Sequence, residues 1–348
     1  RCSGVSAGDV LEVGVAPPRR SGSSASPSAR TSETSARAAP PSSVALSLEV
    51  VRVLAPWVEE AEPDGVLATL RLGSPSGRAA GADLAAVLGS VGSIPLPPYM
   101  RREAEPADAH SYQTVFAAAE RSGSVAAPTA GLHFTSQVLD RLRAAGVHTS
   151  TVALHVGAGT FMPIVAPTIA SHPMHSERFS IGVRQLEQIA SSAVAGRPLV
   201  PVGTTSARTL ESLYWAACGL DAAPLRVVGG RGELGHVGQW APYRRGGVVL
   251  PVEPGRGLER LIATATAHGV SELHGSTALC IAPGYDFALC DGLLTNFHQP
   301  DSTLMLLVGA LLGGSHPARQ MYAHAVAQRY RFLSYGDCNL IVRPPPSE

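Results

Sequence analysis

The sequence has no lysine: all 27 basic residues are arginine, set against 27 acidic ones. Schiff-base chemistry and the lysine of a phosphate-binding loop are therefore excluded. Balanced charge argues against a basic footprint over the whole surface, although pairs such as Arg101–Arg102 and Arg329 with Arg331 leave room for a local arginine patch. No apolar run approaches the length of a membrane span, so no membrane partner is expected. The five cysteines are never spaced as Cys-x-x-Cys. Neither a zinc ribbon nor a disulfide framework follows, and a reducing, cytoplasmic setting is expected.

What is present is a chain of 348 residues, 45% hydrophobic, long enough to build one large domain or two. From Pro17 to Ser43 it is mostly Ser, Ala, Pro and Arg, a composition that cannot bury enough apolar surface to order itself. That stretch reads as disordered and dispensable. It sits behind "DVLEVGV", which alternates like a strand, and ahead of "SVALSLEVVRVLAPWV" and "GVLATLRLG", two further strands of a small β module. The expected division is residues 1–80 as the remnant of a small β domain and 81–348 as a large mixed α/β domain.

Within the second part, Thr135 is placed to cap a helix over "SQVLDRLRAAG", with Val138, Leu139 and Leu142 on one face. "HTSTVALHVGAG" follows as a strand that sets His155 opposite Val152, Leu154 and Val156. "PLVPVGTTSARTLESL" reads as strand, glycine turn and helix; Thr204, Thr205 and Ser206 open the helix beside Arg208, an arrangement suited to an anion. "LLTNFHQPDSTLMLLVGALLG" repeats the scheme, with Asn296 and His298 at a strand end and Asp301 or Ser302 as the cap. The small side chains of "GSVAAPTAGLHFT" predict close approach of the backbone to a flat ligand, with His133 at the rim.

One glycine turn resembles another family. "ALHVGAGTF" is similar to the cofactor turn of Rossmann-type methyltransferases, with Gly157 and Gly159 against S-adenosylmethionine. The likeness fails at Phe161, Met162 and Pro163, where a helix should open. A methyltransferase is the alternative reading. "HPMHSE" supplies His172, His175 and Glu177, but their spacing fits no closed zinc set, and no metal is expected.

Nine blocks carry a broader resemblance: "IPLPPYMRR", "YQTVFA", "GSVAAPTAGLHFT", "LHVGAGTFMPI", "HPMHSERF", "VGTTSARTLES", "APGYDF", "LLTNFHQPDSTLMLLV" and "YRFLSYGDCNLIV". In this order, from Ile94 to Val342, the chain resembles the S-adenosylmethionine:tRNA ribosyltransferase-isomerases of queuosine biosynthesis. The resemblance implies a large barrel-like α/β domain carrying a small β-barrel domain. It also implies a ribosyl transfer from S-adenosylmethionine to 7-aminomethyl-7-deazaguanine at the tRNA wobble position, giving epoxyqueuosine, adenine and methionine. The partners are then the tRNA anticodon region and S-adenosylmethionine as substrate, with no prosthetic group, in a monomer.

Such chemistry needs a base, an acid for the departing adenine and a held amine. With lysine absent, the blocks offer His133, His155, His175, His298 and Glu177 as catalytic candidates. Gly157, Gly159, Thr204, Thr205, Ser206, Arg208, Tyr285 and Asp286 are the candidates for S-adenosylmethionine, and Thr129, Phe161, Asn296 and Arg331 for the tRNA base and backbone. The family's opening segment, with its Asn-Asp-Thr-Arg-like stretch, has no match here, so an N-terminally incomplete or divergent chain is expected, binding weakly and turning over poorly, or a non-catalytic remnant.

Overall fold

The computed structural model describes residues 10–13, 45–53, 66–73, 94–118, 124, 126–157, 166–219, 225–243 and 252–343. The expected disorder of Pro17 to Ser43 lies outside the described residues, as do Gly159 and Phe161. The contacts divide the chain into two compact units, Arg1–Ser93 and Ile94–Glu348.

The first unit carries β1 (Val10–Val13), β2 (Ala45–Val53) and β3 (Val66–Gly73), an antiparallel sheet in that order. All three were legible as alternating apolar runs. The register of β2 on β3 shifts between Val50 and Arg52, one extra residue of the kind that bends an antiparallel pair.

The second unit is mixed α/β. Its main sheet joins β4 (Ala153–His155), β5 (Glu177–Gly182), β6 (Arg226–Val228), β7 (Arg231–Val237) and β8 (Glu272–Thr277) in the order β4-β5-β8-β7-β6. Only β7 and β8 run parallel. A second sheet pairs β9 (Gly292–Asn296) antiparallel with β10 (Cys338–Val342), and Val202 bridges to Leu294 of β9. The helices are a single turn α1 (Asp108–Ser111), then α2 (Ser136–Ala144), α3 (Val183–Val194), α4 (Thr204–Ala217), α5 (Pro254–Ala267), α6 (Thr303–Leu311) and α7 (Ser315–Ala327).

Local chemistry explains the helix starts. Thr135 Oγ1 accepts from Val138 N, as its position before an apolar stripe requires, and Ser302 caps α6 in the same way. Helix α4 begins at Thr204 after a glycine turn, as read from the sequence: its N-cap is Gly203, because the chain leaves the Val202 bridge at φ +93°, a conformation that favours glycine.

Helix α4 then crosses the core. Ala207, Leu210, Leu213 and Tyr214 are buried in one cluster with Phe179 and Ile181 of β5 and Leu273 of β8. Glu211 shares that buried face and is wholly inaccessible. Its carboxylate is satisfied: Oε2 accepts from Tyr285 OH at 2.9 Å and Ala288 N at 2.9 Å, and Oε1 accepts from Leu289 N at 2.9 Å and Cys290 N at 3.0 Å. One side chain thus holds the whole turn that leads into β9. Replacing Glu211 by Gln puts an amide N–H against a backbone N–H, and the loss in stability is expected to be roughly 3 kcal/mol, read from urea unfolding followed by circular dichroism.

Candidate functional site

Two neighbouring constellations gather the family-like blocks of the second unit. The first is built on β5 and α4. Glu177, 1% exposed, begins β5 and receives Arg208 Nη1 at 3.0 Å on Oε2, while its Oε1 faces His175 Nε2 at 3.2 Å. Arg208 also donates from Nε to Leu279 O at 3.0 Å and from Nη2 to Thr277 O at 3.4 Å. Ser212, one turn on, ties α4 to Thr277 Oγ1 at 2.7 Å. Arg208 is therefore spent inside the protein, and the expectation that it would meet a ligand anion is corrected: burial makes its charge a partner for Glu177.

His175, Thr205, Arg208, Leu279, Thr303 and Leu307 line a small cavity of about 20 Å³. This has room for a water molecule and not for a nucleoside. The loop before His175 is fixed by Gln239, which donates to His172 O at 2.7 Å and accepts from Met174 N at 3.1 Å. Burial, and then the nearby His175, lower the His172 pKa. Among the described residues no group of His, Cys, Asp or Glu is arranged to hold a metal.

The second constellation lies where the 3₁₀ turn Thr129–His133 meets the end of β9 and the loop before β10. Thr129 Oγ1 donates to Asn296 Oδ1 at 3.0 Å, and Asn296 Nδ2 donates to Leu333 O at 3.3 Å. His133 is held between two carbonyls, Ala130 O at 3.2 Å from Nδ1 and Gly336 O at 3.1 Å from Nε2. The same loop is gripped from the other side: Tyr99 OH is hydrogen-bonded to Ser334 Oγ, and Tyr335 OH donates to Asp108 Oδ1 at 3.0 Å. Asp108 also accepts both Arg102 nitrogens, at 2.6 and 2.8 Å, and this guanidinium holds its carboxyl well below the usual carboxylate range.

The small residues ahead of His133 serve these chain-to-chain approaches. A Cβ on Gly131 would stand 3.1 Å from Thr114 Cγ2 and 3.2 Å from the Phe116 ring, tighter than ordinary contact. The close partner of this stretch is protein, not the flat ligand that its composition suggested.

Other expected residues lie apart from a shared ligand face. His298 is buried, with Nε2 at 2.9 Å from Thr295 Oγ1 and its backbone N–H donating to Tyr322 OH; burial lowers its pKa to about 4. It is thus a neutral interior side chain rather than a site group at a strand end. Tyr285 is buried as well, and burial and then the Glu211 charge push its phenol well above the ordinary value, so it stays a donor. Its ring packs on Phe287 at 5.1 Å, inside the core rather than on an open ligand face. Asp286 is exposed beside them. Arg331 is exposed and paired with Asp337 at 2.9 Å, and the guanidinium lowers the Asp337 pKa. His155 is half-buried on β4, opposite Arg178 in register, and Gly157 is half-buried two residues later. Strand β4 is a three-residue edge, antiparallel to β5, whereas the cofactor turn of a Rossmann unit follows a parallel strand. The methyltransferase alternative loses its structural footing there.

Residues 26–236 and 243–341 match the family described as "Queuosine biosynthesis protein". The chain belongs to that family. The S-adenosylmethionine:tRNA ribosyltransferase-isomerase of Dinoroseobacter shibae is 40% identical over 264 residues, 75% of this chain and 60% of that protein. The same-named protein of an Azoarcus species is 44% identical over 257 residues, 74% of this chain and 59% of that one. The chain thus spans about three-fifths of the length of these curated relatives. A crystal structure of S-adenosylmethionine tRNA ribosyltransferase from Thermotoga maritima aligns with a TM-score of 0.38 at 30% identity, covering 61% of this chain and 51% of that one.

Tyr99, Asp108, Glu211, Ser334 and Tyr335 are the organising residues that motif reading passed over. Tyr99, Glu211, Ser334 and Tyr335 lie inside the quoted blocks, and Glu211 also shares a helix stripe with Ala207 and Tyr214, whereas Asp108 had no such signal. The Glu177–Arg208 pair should behave as a buried unit. Glu177→Gln is expected to cost about 3–5 kcal/mol by leaving Arg208 uncompensated, and adding Arg208→Met should recover part of that loss; urea unfolding of the single and double variants measures the coupling.

His298 adds a pH dependence. Its folded pKa of about 4 lies below the unfolded value of 6.5, so its contribution is whole above pH 6.5 and is lost as pH falls towards 4. The full effect is roughly 3 kcal/mol. Thermal unfolding between pH 7 and 4 should show this slope in the wild type and a shallower one in His298→Gln.

Proposed function

We propose that this chain transfers and isomerises the ribosyl group of S-adenosylmethionine onto 7-aminomethyl-7-deazaguanine at the wobble position of tRNA, releasing adenine and methionine and leaving epoxyqueuosine. The observation that carries this reading is convergence. Residues separated by more than two hundred positions, Tyr99 with Ser334 and Asp108 with Tyr335, hydrogen-bond to each other, and three of the four lie in the quoted blocks. They flank the turn that seats His133 against Gly336 and Thr129 against Asn296, and relatives 40–44% identical to this chain bear the enzyme's name. The barrel-like closure of the large domain, the β-barrel form of the small one, and action as a cytoplasmic monomer on the anticodon region belong to the same proposal.

The chemistry follows from the donor. A sulfonium acidifies the adjacent ribose carbon, so a base takes a proton there; adenine departs more readily as it gains a proton; the acceptor amine attacks the sugar uncharged. His175 suits the base because Glu177 orients its ring: Nε2–H directed at the carboxylate selects the tautomer whose Nδ1 carries the lone pair. Arg208 holds the other carboxylate oxygen, Oε2, which leaves Oε1 directed at His175. Thr205 and Thr303 lie on the wall of the same cavity. His133, Thr129, Asn296 and Arg331 lie around the loop before β10, where the tRNA base and its backbone are proposed to enter.

The assay is adenine release from S-adenosylmethionine in the presence of tRNA carrying the aminomethyl base. Adenine and methionine in equal amounts are expected, and His175→Asn should lower the rate about a hundredfold or more while donor binding stays within twofold. S-adenosylhomocysteine as product would overturn the reading in favour of methyl transfer; an unchanged rate in His175→Asn would remove that residue from the role of base.

A further inference from the structure

The cavity beside His175 is too small for the donor, but α6 has a second side. There the second unit opens into a cleft of about 680 Å³, inside the roughly 300–1,000 Å³ range of small-molecule sites. Its apolar walls come from Pro167, Ile169, Pro283, Met305 and Leu306, flat and thioether-bearing surfaces suited to a nucleobase. Its charges are one of each sign: Asp301, which adopts φ +56° immediately before the Ser302 cap, and Arg319 on the first turns of α7. Arg319 Nη2 reaches Ser315 Oγ at 3.4 Å, which keeps the guanidinium at the start of its helix.

We infer that this cleft is the S-adenosylmethionine site, with Arg319 receiving the carboxylate of the methionine end and Asp301 facing the sulfonium. The assignment rests on the ribosyltransferase reading and adds to it the location and recognition of the donor. Charge complementarity favours this occupant: a flat base matches the apolar walls, the fixed sulfonium matches Asp301 and the carboxylate matches Arg319, while the α-ammonium beside that carboxylate faces the open side of the cleft. The helix also orders the parts. Ser302 lines the cleft and Thr303 lines the His175 cavity, so the cation held at Asp301 is the end of the donor nearest the proposed base. The carbon whose proton must be removed is bonded to that sulfur. Of the hydroxyl residues assigned to the donor by motif, Thr205 then lies on the His175 cavity, across α6 from the cleft.

Binding of S-adenosylmethionine, S-adenosylhomocysteine and adenosine to the full chain, measured by calorimetry, tests this. Arg319→Gln is expected to weaken the first two at least tenfold and adenosine by less than twofold. Asp301→Asn is expected to weaken S-adenosylmethionine at least tenfold and the neutral thioether S-adenosylhomocysteine by less than threefold. Met305→Trp, which fills the cleft, should abolish binding of all three, with circular dichroism checking that each variant folds. Wild-type affinity for S-adenosylmethionine retained in all three variants would overturn the site while leaving the ribosyltransferase reading intact. A wild-type chain that binds no S-adenosylmethionine would overturn the site, and adenine release, measured separately, reports on the reaction itself.

Discussion

A carboxylate taken out of water must be met by donors or by a cation, and in this chain that demand is concentrated on one helix. Glu177 is met by Arg208 of α4, and Glu211 of the same helix is met by the turn before β9. Arg208 and Glu211 stand three positions apart, about one helical turn. Consequently the β5 start, the β8 end and the β9 entry are all referred to α4, and an error in its position would leave two buried charges unsatisfied at once. Apolar packing alone tolerates small slides of a helix; buried ionic partners at 3 Å do not.

That constraint explains which parts of the fold were legible in sequence. Alternation placed β1, β2 and β3, and cap chemistry placed the starts of α2 and α6, since Thr135 and Ser302 act through backbone a few residues away. Alternation also suggested a long strand through His148 to Gly159, of which Ala153–His155 pairs among the described residues. Short-range signals report short-range structure. The sheet order β4-β5-β8-β7-β6 depends on partners far apart in sequence, and nothing local in "ERFSIG" says that β8 lies beside it.

The site shows the same division. His175, Glu177 and Arg208 were picked out by residue type and are in contact, yet their roles differ from the motif's suggestion because burial could not be read: Arg208 became a structural cation. His298 and Tyr285 were picked out for standing near glycine and proline turns and lie inside, where burial lowers one pKa and raises the other. Asp108 was overlooked because an acid in "AEPADAHSY" reads as a solvated loop. Its significance comes from Tyr335, more than two hundred residues away.

The stretch from Ser124 to His133 joins these two levels. Its first residues run beside β4, with Ser124 Oγ donating to Leu154 O at 2.9 Å and Ala126 N to Val156 O at 3.4 Å. Its last residues reach Asn296 through Thr129 and stand against Gly203 through Ala130, whose Cβ lies 3.6 Å from where a Cβ on Gly203 would be. This segment therefore joins the edge of the main sheet to the end of the small one. Larger side chains would hold those edges apart, so smallness here is a demand of protein packing. The consequence for function is indirect but firm: His133 takes its place from β4, β9 and α4 together, and a ligand bound near it meets a position already fixed by three elements.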